Sequence, residues 1–275
     1  MKKTILSLAV VSALSAAAVV HAEDAPAPAP APAPAASAEA PASPLSFNIG
    51  VVSDYRFRGI SQTRFDPALQ GGIDYAIPNT GFYIGTWMSN IKWIKDAGEI
   101  AGVDTGSAPV EWDFYGGYKG EIVKDTLSYD VGLLQYYYPN QHLDRIPNTY
   151  SPDTLEIYGA LTYGPATVKY SHSLTRLFGT ADSKNSGYLE AAATFDVGGG
   201  FSVTPHIGYQ HVAHNSNLTY TDYSLTGSHD WFGLSFSLAY IGTSTKDING
   251  TPAYLSPDNK NLGRSSLVFG VKKTF

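Results

Sequence analysis

The chain has 275 residues, no cysteine, a formal net charge of -6 and only 15% charged residues, against 13% aromatics that include 19 tyrosines. Without cysteine there is no disulfide framework and no lipoprotein processing, and the acidic balance argues against a nucleic-acid partner. Soluble domains carry about 25% charged residues; a smaller fraction, at a mean hydropathy of only -0.12, points to strands that alternate between lipid and water.

Residues 1–22 read as a secretory signal. Lys2 and Lys3 give the positive start, Ile5 to Val20 an Ala-rich apolar run, and Val20-His21-Ala22 the small residues of a cleavage site. The run is marginal for a ~30 Å bilayer core, so a retained anchor helix is the weaker reading. Residues 23–44 are nearly all Ala, Pro, Ser and Glu. Proline fixes φ and donates no hydrogen bond, so this segment is expected to be an extended, polyproline-like periplasmic tether. A docking segment for a periplasmic partner is the alternative. Residues 45–275 remain for one domain, and no apolar run in them is long enough for a membrane helix.

Hydrophobic period sets the expected elements. From Leu45 the odd positions read Leu45, Phe47, Ile49, Val51, Ser53, Tyr55 and Phe57, and the even ones Ser46, Asn48, Gly50, Val52, Asp54, Arg56 and Arg58. This is strand periodicity with charge confined to one face. The pattern recurs at Leu69–Ile77, Phe82–Trp93, Glu111–Lys119, Thr126–Tyr137, Leu155–Tyr163 and Ala166–Ser173. It continues at Tyr188–Val197, Phe201–His211, Thr219–Gly227, Phe232–Ile241 and Ser265–Phe275. The fold class is therefore all-β: an antiparallel transmembrane β-barrel of about twelve strands, with ten or fourteen within the error of counting.

The connections alternate in length. Those at 78–81, 120–124, 164–165, 198–200 and 228–230 are short, and those at 59–67, 94–109, 139–153, 174–186, 212–218 and 242–263 are long. Single-chain outer-membrane barrels alternate in this way, with short periplasmic turns and longer external loops. Both termini then face the periplasm. Trp93, Trp112, Tyr137, Tyr138, Tyr158, Tyr163, Tyr209, Trp231 and Tyr240 lie mostly near strand ends, where an interfacial girdle would put them; a sugar-stacking surface is the alternative. Phe275 closes an alternating final strand, as the aromatic assembly signal of such barrels does.

Ser53-Asp54-Tyr55-Arg56-Phe57-Arg58-Gly59-Ile60-Ser61-Gln62 resembles the signature of the TorF family of porin-like proteins. So do Gly81-Phe82-Tyr83-Ile84-Gly85-Thr86-Trp87-Met88-Ser89-Asn90, Glu111-Trp112-Asp113-Phe114-Tyr115-Gly116-Gly117-Tyr118 and Tyr136-Tyr137-Tyr138-Pro139. The resemblance runs from about Asn48 to Phe275 and is most specific in its first third. It implies an exported outer-membrane protein of a Gram-negative proteobacterium. It implies no catalytic residue and no cofactor.

Parity assigns the inward positions: Asp54, Arg56, Arg58, Asp74, Glu111, Asp113, Lys119, Asp130, Glu156, Lys169, Glu190 and His206, with Asp222 and Lys272. A Lys or Arg facing lipid at the midplane would cost roughly 2–4 kcal/mol. Facing the lumen these groups can line a conduit or form a salt-bridge network. Arg56 and Arg58 against Glu111, Asp113, Glu156 and Glu190 read as opposed walls with a transverse field, or as direct pairs that stiffen the wall. About eight inward carboxylates against five bases predict weak cation preference in any passage. Twelve strands lie between the filled eight-stranded barrel and the open porin of 16–18, so the lumen should be narrow.

Hydrolysis needs a Ser beside a His with an orienting group. His172 and Ser173 are adjacent and so face opposite ways, His206 has no Ser recognisably set against it, and His211 and His214 lack a metal-like context. Asp247-Ile248-Asn249-Gly250 is too short a match for calcium. The chain is read as no enzyme, without metal or cofactor. Its partners are outer-membrane lipid, the barrel-assembly machinery and small hydrophilic solutes. The function expected is a narrow passive channel. The alternatives are a non-conducting barrel whose long loops bind a partner or surface and, third, an outer-membrane hydrolase.

Overall fold

A computed structural model describes residues 43–275. The expected signal, residues 1–22, and nearly all of the expected linker, 23–44, lie outside the described residues. Twelve long strands follow one another around one closed sheet: β1 (Leu45–Val52), β2 (Ala68–Ala76), β3 (Phe82–Asn90), β4 (Val110–Val123), β5 (Leu127–Tyr137) and β6 (Thr154–Tyr163). Then come β7 (Ala166–Ser173), β8 (Gly187–Ala193, continued by Phe195–Gly198), β9 (Phe201–His211), β10 (Tyr220–Trp231), β11 (Leu234–Thr243) and β12 (Ser266–Thr274). Each is antiparallel to its neighbour in sequence. Pairing of β12 with β1, from Asn48↔Thr274 to Val52↔Gly270, closes the ring.

Period-two alternation puts apolar residues outside. On β1, Leu45, Phe47, Ile49 and Val51 are exposed, while Ser46, Asn48 and Gly50 turn inward. On β9, Phe201, Ile207 and Tyr209 point out, and Ser202, Thr204, His206 and Gln210 point in. A closed ring satisfies every strand's backbone groups and leaves no edge, which is the condition for strands to lie in a bilayer. With an apolar exterior, this is the architecture of a transmembrane β-barrel. No helix among the described residues is long and apolar enough to cross a membrane.

Short turns gather at one end, with the outer ends of β1 and β12, and long connections at the other. The turn between β10 and β11 corrects an expectation. Ser228, His229 and Asp230 stay in β10, opposite Ser237, Phe236 and Ser235. The chain reverses at Phe232 (φ 49°) and Gly233 (φ 72°), both left-handed as a primed hairpin turn requires. The strand expected to stop at Lys119 runs on to Val123.

The larger correction concerns the first strand, which leaves the wall after Val52 instead of continuing to Arg58. The Ser53 amide still bonds the Phe269 carbonyl at 2.8 Å, and its hydroxyl accepts the Phe269 amide at 2.9 Å. Asp54 through Thr63 are then buried without interruption. Arg56↔Ser61 and Phe57↔Ile60 form a small hairpin with Arg58 (φ 44°) and Gly59 (φ 77°) at its tip. Local bonds fold it: Asp54 Oδ1 accepts Ser61 Oγ at 2.6 Å and Thr63 Oγ1 at 3.3 Å. The hairpin lies inside the barrel. Helix α1 (Trp93–Ala101) shares this end, burying Ile94, and Arg64 grips its Asp96 at 3.0 Å through Nε. The core of the molecule is this filled half of the barrel, where Tyr55, Phe57, Ile94, Leu134, Tyr136, Tyr138 and Leu143 pack together.

Candidate functional site inside the barrel

The hairpin reaches nearly across the ring. It starts from β1, and its tip meets β6, β9, β10 and β11. Arg58 donates from Nη2 to Glu156 Oε2 on β6 at 2.8 Å and from Nη1 to Gln210 Oε1 on β9 at 2.7 Å. Its guanidinium lies 4.4 Å from the Tyr188 ring centre and 4.9 Å from that of Phe57. Gly59 fits because it lacks a side chain: a Cβ there would come within 2.5 Å of Thr243 Cγ2 and 2.8 Å of Asp222 Cβ.

Arg56 points back to the base. Its Nε donates to Asp54 Oδ2 at 2.5 Å, Nη1 to the carbonyls of Gly59, Leu262 and Arg264 at 2.8, 3.3 and 3.1 Å, and Nη2 to Ser266 Oγ at 2.5 Å. Glu111 accepts the Tyr55 hydroxyl at 2.6 Å and that of Tyr138 at 2.7 Å. Glu156 also takes the Tyr136 hydroxyl at 3.5 Å. Asp113 is buried beside Glu111 and Glu156, and its Oδ1 contacts no donor. The expected opposition of basic and acidic walls is therefore replaced by direct pairing: Asp54, Arg56 and Arg58 sit on the hairpin, and Glu111, Asp113 and Glu156 on the wall around it.

The remaining inward charges make a ladder. Strand register sets Lys119 against Asp130, Asp130 against Ala160, Ala160 against Lys169, Lys169 against Glu190, Glu190 against Gly208 and Gly208 against Asp222. Because barrel strands tilt, this row climbs around the wall from the short-turn side of β4 to the long-connection side of β10. Lys169 Nζ lies 3.6 Å from Glu190 Oε1, Glu190 Oε2 is 3.2 Å from His206 Nε2, and His206 Nδ1 is 3.5 Å from Asp222 Oδ1. Asp222 also accepts the Tyr188 hydroxyl, at 3.0 Å to Oδ2. Tyr83 donates to Asp130 at 2.5 Å and its hydroxyl meets that of Tyr158, while Tyr115 donates to Asp74 at 2.6 Å. Lys272, inward on β12, is half-buried. Phe275 points outward, its amide bonded to the Phe47 carbonyl at 2.9 Å.

The inward tyrosines are absent from the charged set that parity assigns to the lumen. Tyr138 and Tyr158, expected in the girdle, are buried and inward, and Trp93 packs against the core from α1. Tyr137, Tyr163, Tyr209, Trp231 and Tyr240 are exposed. Tyr136 and Tyr138 share even parity with Asp130, a signal present in the sequence. Each lumen tyrosine needs room across the strand. A Cβ on Gly208 would fall 1.9 Å from the Tyr188 hydroxyl, and one on Gly85 2.1 Å from the Tyr115 ring.

Residues 35–275 match the family described as a bacterial protein of unknown function (Gcw_chp). The chain belongs to that family. Among curated proteins none matches in sequence. Among solved structures the barrel is similar to the NanC porin, at 10% identity and a TM-score of 0.47, with 84% of this chain covering 98% of that one. It is similar to LpxR from Salmonella typhimurium at 10% identity and a TM-score of 0.45, with 84% covering 99%. OccK5 (OpdH) of Pseudomonas aeruginosa follows at 11% identity and a TM-score of 0.38, with 84% covering 67%. At these identities the likeness says nothing about activity.

Proposed function

We propose that the chain is an outer-membrane channel of the TorF porin-like kind, a narrow passive route for small polar solutes whose mouth is constricted by the Asp54–Thr63 hairpin. The observation that carries this is the climbing row of inward charges. Lys119, Asp130, Lys169 and Glu190 remain partly exposed on the lumen side of a wall whose other side is apolar, Lys169 at 16% and Glu190 at 12%. Wetted charges in continuous register offer a polar solute replacement partners for its water shell. In this reading both termini face the periplasm, the long connections face outward, and Phe275 is the residue read during assembly. The conducting state requires the hairpin to shift, since Arg58 and Tyr55 bridge it to the wall.

The filled mouth also supports a second reading, a non-conducting barrel whose long connections carry the function. Planar-bilayer recording separates the two. A channel gives small, discrete steps from refolded protein, and larger or longer ones when the Arg58 bridge is removed. No steps from either form would sink the channel and leave the second reading.

A further inference from the structure

Negative charge is concentrated at one level of the lumen. Towards the short turns Asp74 and Asp130, with Glu190 further up the row, are balanced in number by Lys119, Lys169 and Lys272, all of them partly buried. Around the hairpin Asp54, Glu111, Asp113, Glu156 and Asp222 are buried, and the buried bases with them are Arg56, Arg58 and, beside Asp222, His206. Four of the five carboxylates are answered: Asp54 by Arg56 and Ser61, Glu111 by two tyrosines, Glu156 by Arg58, Asp222 by Tyr188 and His206.

Asp113 is the exception. It is 6% exposed, its Oδ1 meets no donor, and its charged neighbours include Glu111 and Glu156. A buried carboxylate in that setting lacks a partner that burial ordinarily demands. Arg58, which binds Asp113's neighbour Glu156, shows which chemistry this wall accepts: a planar cation held by one carboxylate, one amide oxygen and two aromatic faces. Asp113 has no such partner on its Oδ1. Trp87 stands opposite it on β3, Tyr55 packs edge-on to Trp87 at 5.5 Å, and Tyr55 bonds Glu111.

We infer that Asp113, Trp87 and Tyr55 form a binding site for a small organic cation, a guanidinium or ammonium group, on the same acidic wall as the Glu156 that Arg58 binds. Among the described residues no group of three or more His, Asp or Glu side chains is arranged for a metal ion. A tryptophan set across the strands from a carboxylate oxygen without a donor suits a diffuse organic charge instead. The ligand reaches the site when the hairpin tip around Arg58 shifts. The identity of the solute class rests on the channel reading, whereas the site rests on the geometry alone.

Calorimetric titration of the refolded full-length chain in detergent tests this, with methylguanidinium chloride as the probe and sodium chloride and methylurea as controls. Methylguanidinium is expected to bind saturably and at least ~10-fold more tightly than sodium, with methylurea, of similar shape but neutral, not binding. Asp113→Asn should weaken binding by about 10-fold or more. Trp87→Leu keeps the carboxylate, removes the ring and should also weaken binding, so one variant that fails to fold does not decide the matter. Folding of each is checked by its heat-dependent migration. No saturable binding to the wild type, equal binding of methylurea, or unchanged affinity in the folded variants would overturn the site. Conductance without binding removes the cation site alone, and binding without conductance removes the channel alone.

Discussion

Replacing Arg58 with Met should undock the hairpin while the wall stays folded. Arg58 and Glu156 are 3% and 2% exposed, so their contact is not screened by water. The substitution removes the 2.8 Å bond to Glu156 and the 2.7 Å bond to Gln210, and it leaves a buried carboxylate whose remaining donor is the Tyr136 hydroxyl at 3.5 Å. Removing one partner of a buried pair typically costs about 3–5 kcal/mol, because the other charge stays behind. Placed on docking of the hairpin, that cost shifts the docked-to-undocked ratio by roughly 10²- to 10⁴-fold. The wall itself loses no ladder hydrogen bond, since Arg58 stands at the tip of a hairpin that pairs only with itself. The loss should therefore appear locally. Limited trypsin digestion in detergent, read by mass spectrometry, should show faster cleavage after Arg56 and Arg64, while denaturant unfolding of the barrel changes little. Adding Glu156→Gln removes the orphaned charge, so the double variant should recover part of the protection. Cleavage no faster than in the wild type, or a double variant that loses the plain sum of the two singles, would refute the bridge as the hold on the hairpin.

Gly208→Ala should push Tyr188 off the β9 wall and cost about 1–3 kcal/mol, checked by denaturant unfolding, because the new Cβ lands 1.9 Å from the Tyr188 hydroxyl and 2.7 Å from Asp222 Oδ2. Deleting Phe275 removes the 2.9 Å and 3.3 Å backbone bonds to Phe47 at the seam and an outward aromatic; folded protein in vesicles should fall, and a normal yield would contradict a seam role. Asp258 is held down to about 2 by Lys260 and then Ser256, so its contribution to the order of the last long connection is complete above the ordinary carboxylate range and is lost as pH falls towards 2. NMR titration should place its midpoint there, and Lys260→Ala should move it up. If the barrel conducts, reversal potentials under a salt gradient should show weak cation preference, diminished by Glu111→Gln with Asp113→Asn; anion preference in the unmodified protein would contradict the charge reading.

Much of this architecture was legible from alternation alone, and the reason it stopped being legible is physical. Period two reports an extended chain with two different faces, and on β1 those faces are lipid and lumen. The same period continues through Asp54, Tyr55, Arg56, Phe57 and Arg58, where the chain is still extended but both faces meet protein. Nothing in the pattern marks the departure at Ser53. Gly59 is the one residue there whose type suits a reversal, and it takes a φ of 77° at the hairpin tip. Tyr138 and Tyr158 were misplaced because position near a strand end was weighed above parity. The turn at Phe232 was missed because a phenylalanine with positive φ is uncommon, whereas Ser-His-Asp looks like ordinary turn chemistry.

The charges show a further limit. Parity turns Glu111, Asp113 and Glu156 away from lipid, where they are buried, but facing inward is a statement about one wall. What these groups do depends on which other wall, or which returning segment, stands opposite. A barrel of twelve strands is too wide for its wall side chains alone to fill in the manner of an eight-stranded one. Something must then occupy the interior, either water or chain. Here one half received chain, from Asp54 to Thr63 and α1, and Glu111 and Glu156 found a hydroxyl and a guanidinium partner on it. The other half kept its charges along the wall and partly exposed. If the barrel conducts, its resistance lies at the hairpin, and a solute that passes must first replace what the hairpin offers Glu111 and Glu156, a tyrosine hydroxyl and a guanidinium.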